Sequence, residues 1–115
     1  ESHYNLYKKI DIALDTFPYN GVTTTFEALA MGVPVITMKG YNFNSRCGES
    51  IIKNLGIKDL IAINEDDYIL KSQKMANEKD KLSELRKNIF NISHETPLFD
   101  TKQFSQDFFN ILEKI

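Results

Sequence analysis

The 115-residue sequence has no tryptophan, one cysteine and three prolines. No apolar run approaches the ~20 residues that span a bilayer. The lone Cys47 excludes an internal disulfide framework and any cysteine-based zinc cluster. His3 and His94 lie far apart with no HxxxH or HExxH spacing, so no metal site is expected. Charge of one sign is missing too: 14 Lys and Arg stand against 16 Asp and Glu, a formal net charge of -2. That balance argues against a polybasic membrane anchor and against a nucleic-acid binder driven by bulk charge. No basic, apolar signal segment opens the chain, and a cytoplasmic protein is the expectation. The sequence begins at Glu1 rather than methionine, which points to a piece of a longer polypeptide.

What is present reads as one domain, 1–115, with 42% hydrophobic residues and a single core. Ile10 to Asp15 alternates as a strand does, and Phe17-Pro18-Tyr19-Asn20-Gly21 reads as a turn. Thr23 to Met31 reads as a helix with a Thr at its cap, Gly32 at its C-terminal end and Pro34 just beyond. Val33 to Met38 has the apolar run of a strand buried on both faces. A second helix is expected from Ser45 as N-cap to Gly56, with Cys47 buried on it, and a third strand over Leu60 to Ile63. Asn64 then opens a helix to about Ala76, and another spans Asp80 to Phe90, with the charges from Lys71 to Lys87 forming a solvated face. The last helix starts near Thr101, capped by Asp100, and is expected to bury Phe104, Phe108, Ile111 and Leu112. Strand and helix alternating three times predicts an α/β fold with parallel strands and right-handed crossovers.

Open parallel sheets bind ligands beyond the carboxyl ends of their strands, where loops enter helix N-termini. The loop from Tyr19 to Thr25 occupies that place. Unpaired N–H groups and the helix dipole favour an anion there, Gly21 allows close approach, and Thr23 and Thr24 add hydroxyls. Glu27, one turn after Thr23 on the same face, is placed to accept hydrogen bonds from ribose hydroxyls. A capped helix after an Asn-Gly turn, with an acid near its positive end, accounts for the same residues. Arg46 suits either an anion or a surface carboxylate. Spacing alone leaves these readings open.

Three stretches together resemble the protein O-linked N-acetylglucosamine transferase family, with its SPINDLY-type and bacterial members. They are Asp11 to Thr37, centred on Leu14-Asp15-Thr16, Asn20-Gly21, Thr23-Thr24 and Met31-Gly32-Val33-Pro34; Asn44 to Ser50 with Leu55-Gly56; and Thr96-Pro97-Leu98-Phe99-Asp100. The resemblance implies the Rossmann-like carboxy-terminal lobe of a two-domain GT-B glycosyltransferase, the lobe that holds the nucleotide-sugar donor. By it, Val22, Thr23 and Thr24 bind the donor diphosphate, while Glu27 and His3 bind the nucleoside. Animal relatives carry a histidine at the position of Val22, an arginine at Leu6 and an aspartate at Glu27, so Val22 can serve only through its backbone N–H.

The implied reaction is inverting transfer of a sugar, expected to be N-acetylglucosamine, from UDP to Ser or Thr of a protein, without cofactor or metal. Catalytic groups and the acceptor site are expected on an absent amino-terminal lobe and its helical repeats, leaving this chain alone inactive. The alternatives are a non-catalytic nucleotide-sugar-binding module, an N-linked protein glucosyltransferase of the same broader family, and an α/β interaction domain whose Thr run only caps a helix.

Overall fold

Ala13–Leu14 (β1), Val35–Met38 (β2) and Ile61–Ala62 (β3) form a parallel sheet in the order β1-β2-β3 in the computed structural model, which describes residues 2–115. Ala13 pairs with Val35 and Leu14 with Ile36; Thr37 pairs with Ile61 and Met38 with Ala62. Around the sheet stand α1 (His3–Tyr7), α2 (Thr23–Ala30), α3 (Phe43–Leu55), α4 (Glu65–Asn77), α5 (Lys79–Ser93) and α6 (Thr101–Glu113). The α/β architecture is the one expected. Every residue of β2 is buried, and α2, α3 and α4 all pack on it. Leu29, Val33, Ile36, Ile52, Leu60 and Ile89 are fully enclosed at the centre of the core.

The outer strands are shorter than their sequence pattern. Pro34 supplies a carbonyl to the Ala13 N–H but has no N–H of its own, and the Val33 N–H turns back to Ala28 O to close α2. The Ile10 N–H turns back to Tyr7 O, Pro34 has no N–H to extend the ladder, and β1 begins at Ala13. At the third strand, Lys58–Leu60 forms a 3-10 turn and the Ile63 N–H bonds Asp67 Oδ2, leaving two ladder residues. Asn64 and Asp100 cap α4 and α6 as expected, through bonds from the N–H groups of Asp67 and Gln103. Gly32 (φ 75°) and Gly56 (φ 92°) adopt the left-handed backbone expected after α2 and α3.

Three expectations are corrected. Asn42, not Ser45, is the N-cap of α3; the buried Ser45 completes a capping box from the third helical position. Cys47 is half-buried, its thiol turned to the Phe43 carbonyl. Most consequentially, α6 buries nothing: Phe104, Phe108, Phe109, Ile111 and Leu112 are all exposed. The described residues extend 50 Å along their longest axis, with a radius of gyration of 15.1 Å. A compact chain of this length would have about 13 Å.

At Gly48 of α3 the helix lies so close to the sheet that a Cβ would overlap Thr37 Oγ1 and Asp15 Oδ2. Gly48→Ala is therefore expected to destabilise the fold by about 1–3 kcal/mol through overpacking, read by urea denaturation. An unchanged midpoint would show that α3 can withdraw freely.

Candidate nucleotide site

The carboxyl end of the sheet is joined by buried polar groups. Asp15, immediately after β1, accepts the Thr37 hydroxyl on Oδ2 at 2.8 Å and the Gly21 N–H on Oδ1 at 2.9 Å. Its backbone carbonyl accepts the Tyr68 hydroxyl of α4 at 2.9 Å. Asn20 links the same loop to α3: its Oδ1 accepts the Gly48 N–H at 3.0 Å, its N–H donates to Asn44 O, and its Nδ2 donates to Thr16 O. The Thr16 hydroxyl also bonds the Tyr19 carbonyl. Seven polar contacts thus set where the Asn20-Gly21 turn releases the chain into α2. None of Asp15, Asn20 or Thr37 was singled out from the sequence as a separate site residue, although each lies within the resembling stretch.

Val22 holds the N-cap position of α2 (φ -119°, ψ -70°) and provides no capping side chain. The expected Thr cap is absent. Instead the Thr25 hydroxyl turns back to the Gly21 carbonyl, while Thr23 and Thr24 stay exposed at the helix start. In a helix the first N–H groups have no intrahelical partner, and here no side chain caps them. This terminus therefore presents N–H groups, two hydroxyls and the positive end of the helix dipole together.

One turn on, Glu27 meets α1. His3 Nε2 lies 3.1 Å from Glu27 Oε2, and the Tyr7 hydroxyl donates to the same oxygen at 3.0 Å. The structure thus brings together His3 and Glu27, 24 residues apart, and adds Tyr7. Its signal in the sequence was its position four residues after His3, one turn along the same face. Tyr7 is buried, and that burial, followed by the Glu27 carboxylate, raises its phenol pKa so that it stays a donor. A cavity of about 210 Å³ lies beside it, bordered by Tyr7, Asp15, Thr16, Gly21, Thr24 and Thr25. Larger surface hollows of about 640 and 480 Å³ along α4 and α5 contain none of the predicted site residues.

Arg46 faces a carboxylate: its Nε is 3.6 Å from Oε2 of the buried Glu49. Lys53 Nζ contacts the other oxygen at 2.6 Å and holds the Glu49 carboxyl below the usual range. Among the described residues, no three His, Cys, Asp or Glu side chains gather as a metal site would require. No helix there is long and apolar enough to cross a membrane.

The model of glycosyl transferase family 41 matches residues 1–108. The chain belongs to glycosyl transferase family 41. A probable UDP-N-acetylglucosamine–peptide N-acetylglucosaminyltransferase SPINDLY of Petunia hybrida is 42% identical over 105 residues, covering 91% of this chain. The UDP-N-acetylglucosamine–peptide N-acetylglucosaminyltransferase of Caenorhabditis elegans is 30% identical over 112 residues, covering 97%. This chain spans only 11% and 10% of those two proteins. A solved structure of a mutant O-GlcNAc transferase from Thermobaculum terrenum superposes with a TM-score of 0.90 at 30% identity, over 96% of this chain and 21% of that one. The family 41 relationship thus covers the sheet, the α2 terminus and nearly all the flanking helices.

Burial raises the Asp15 carboxyl above its ordinary value of 3.8, while the Gly21 N–H and Thr37 hydroxyl pull the other way. The native state then holds that proton more tightly than the unfolded chain. Its stabilising effect is complete below the unfolded pKa and is lost as pH rises through the native one. Asp15→Asn has no such proton to hold, so its stability relative to wild type should climb with pH across the window opening near 3.8. Denaturation series at stepped pH measure the difference; a flat difference would contradict the direction of the shift.

Proposed function

We propose that this chain is the donor-binding lobe of a longer glycosyltransferase that moves a sugar from a UDP donor to Ser or Thr of a protein, with inversion. N-acetylglucosamine is the sugar that the names of the relatives favour. The observation that carries the reading is the arrangement at α2: an uncapped helix start bearing Thr23 and Thr24, with Glu27 one turn on and His3 beside it. The N–H groups of Val22, Thr23 and Thr24 and the two hydroxyls take the diphosphate; Glu27 and His3 take the nucleoside.

The chemical demand of such a transfer is charge. As the anomeric bond breaks, negative charge builds on the departing UDP, and preorganised donors that need not reorient stabilise it. One donor of this kind contributes about 2.7–4 kcal/mol in comparable oxyanion sites. Helix donors, hydroxyls and dipole supply that stabilisation without a metal or other cofactor. The protein acts in the cytoplasm, and its catalytic groups and acceptor site lie on a preceding lobe and its helical repeats.

The exposed stripe of α6 supports a chain that continues elsewhere. Phe104, Phe108, Ile111 and Leu112 recur at helical spacing on a face that nothing here covers. The superposition leaves about four-fifths of the Thermobaculum protein outside this region. The preceding lobe is the partner we assign to that stripe. The isolated chain should bind donor weakly and catalyse no transfer.

Calorimetric titration of UDP should show binding that weakens about tenfold or more in Thr23→Ala and in Glu27→Ala, at about 1.4 kcal/mol per tenfold. Saturable binding indifferent to both substitutions would overturn the site.

A further inference from the structure

Glu27 is held from one side. Both polar contacts to its carboxylate fall on Oε2, from Tyr7 and His3, and Oε1 accepts no hydrogen bond among the described residues. The two holders differ in kind. The His3 side chain is 63% exposed, so water competes for its contact. Tyr7 is 8% exposed and belongs to the core cluster, with its ring edge-on to His3 at a centroid distance of 5.6 Å. Its phenol is therefore anchored by packing before it meets Glu27, and a pre-placed donor loses little freedom in orienting its acceptor.

We propose that Tyr7 is a positioning residue of the nucleotide site: its hydroxyl pins Glu27 Oε2 and leaves Oε1 free to accept from the ribose hydroxyls. The inference rests on the donor-site reading above and adds a residue to it. A free Glu side chain has several rotamers, and one oxygen locked by a buried donor sets the direction of the other. Tyr7 itself touches no ligand. It acts through Glu27, so its contribution belongs to recognition of the ribose, not of the diphosphate.

The test compares UDP with 2′,3′-dideoxy-UDP, which keeps base and diphosphate but lacks both ribose hydroxyls. Wild type should prefer UDP by about tenfold, the worth of a charge-assisted hydrogen bond. Tyr7→Phe keeps the packed ring and should cut that preference to about twofold while leaving dideoxy-UDP affinity unchanged. Glu27→Ala should abolish the preference, and adding Tyr7→Phe to it should change nothing more, as expected of two residues acting as one unit. A Tyr7→Phe chain that keeps the full preference, or loses affinity for both nucleotides equally, overturns the role. So does a ribose preference that survives Glu27→Ala, which decides the matter even if Tyr7→Phe does not fold. If wild type binds neither nucleotide, the donor-site reading fails and this inference with it. If UDP binds and Tyr7→Phe has no effect, only the inference fails.

Discussion

The Asp15 carboxylate is the junction on which the carboxyl edge of the sheet depends. It is buried at the end of β1, where an unpaired charge would be costly. The Thr37 hydroxyl from β2 and the Gly21 N–H from the loop into α2 satisfy it. Removing it would leave the buried Thr37 hydroxyl and the part-buried Gly21 N–H without their acceptor, the asymmetry that makes such groups hard to replace. Gly48 belongs to the same junction, since a side chain there would occupy the space of the Asp15–Thr37 bond. Strand ends, loop and two helices are thereby set in one arrangement, and the start of α2 points where a ligand at the sheet edge can reach it.

Placement of that kind matters because anion binding by a helix terminus is geometric. The dipole and the free N–H groups act within the first turn, so the turn must be rigidly sited to act on an anion. The polar junction behind Gly21 does this from within, and the Tyr7–Glu27–His3 contacts do it one turn further along. The site combines a fixed scaffold with solvent-facing hydroxyls at Thr23 and Thr24.

Much of the fold was legible in the sequence because its signals are local. Gly32, Gly56, Asn64 and Asp100 mark helix ends through their own backbone or side-chain chemistry, and the apolar run of β2 marks a strand covered on both faces. What escaped depends on partners distant in sequence, or on which of two neighbouring candidates takes a role. The length of β1 is set by Pro34 across the ladder, and Ser45 lost the cap to Asn42 because Asn42 carries the extended backbone. The apolar residues of α6 recur at helical spacing, but such a stripe says that a face needs cover, not that this chain supplies it. Likewise Glu27 follows from its spacing after Thr23, and His3 from the family resemblance, whereas the contact of Tyr7 with Glu27 and the Asp15 junction depend on α1, β1 and α2 being set side by side.

Backbone amide shifts of the isotopically labelled chain during UDP titration test the central claim most directly. The account predicts that the amides of Val22, Thr23 and Thr24 move most, with Glu27 and the His3–Tyr7 helix following. Saturable binding whose largest shifts fall along α4 and α5, with the start of α2 unmoved, would contradict it.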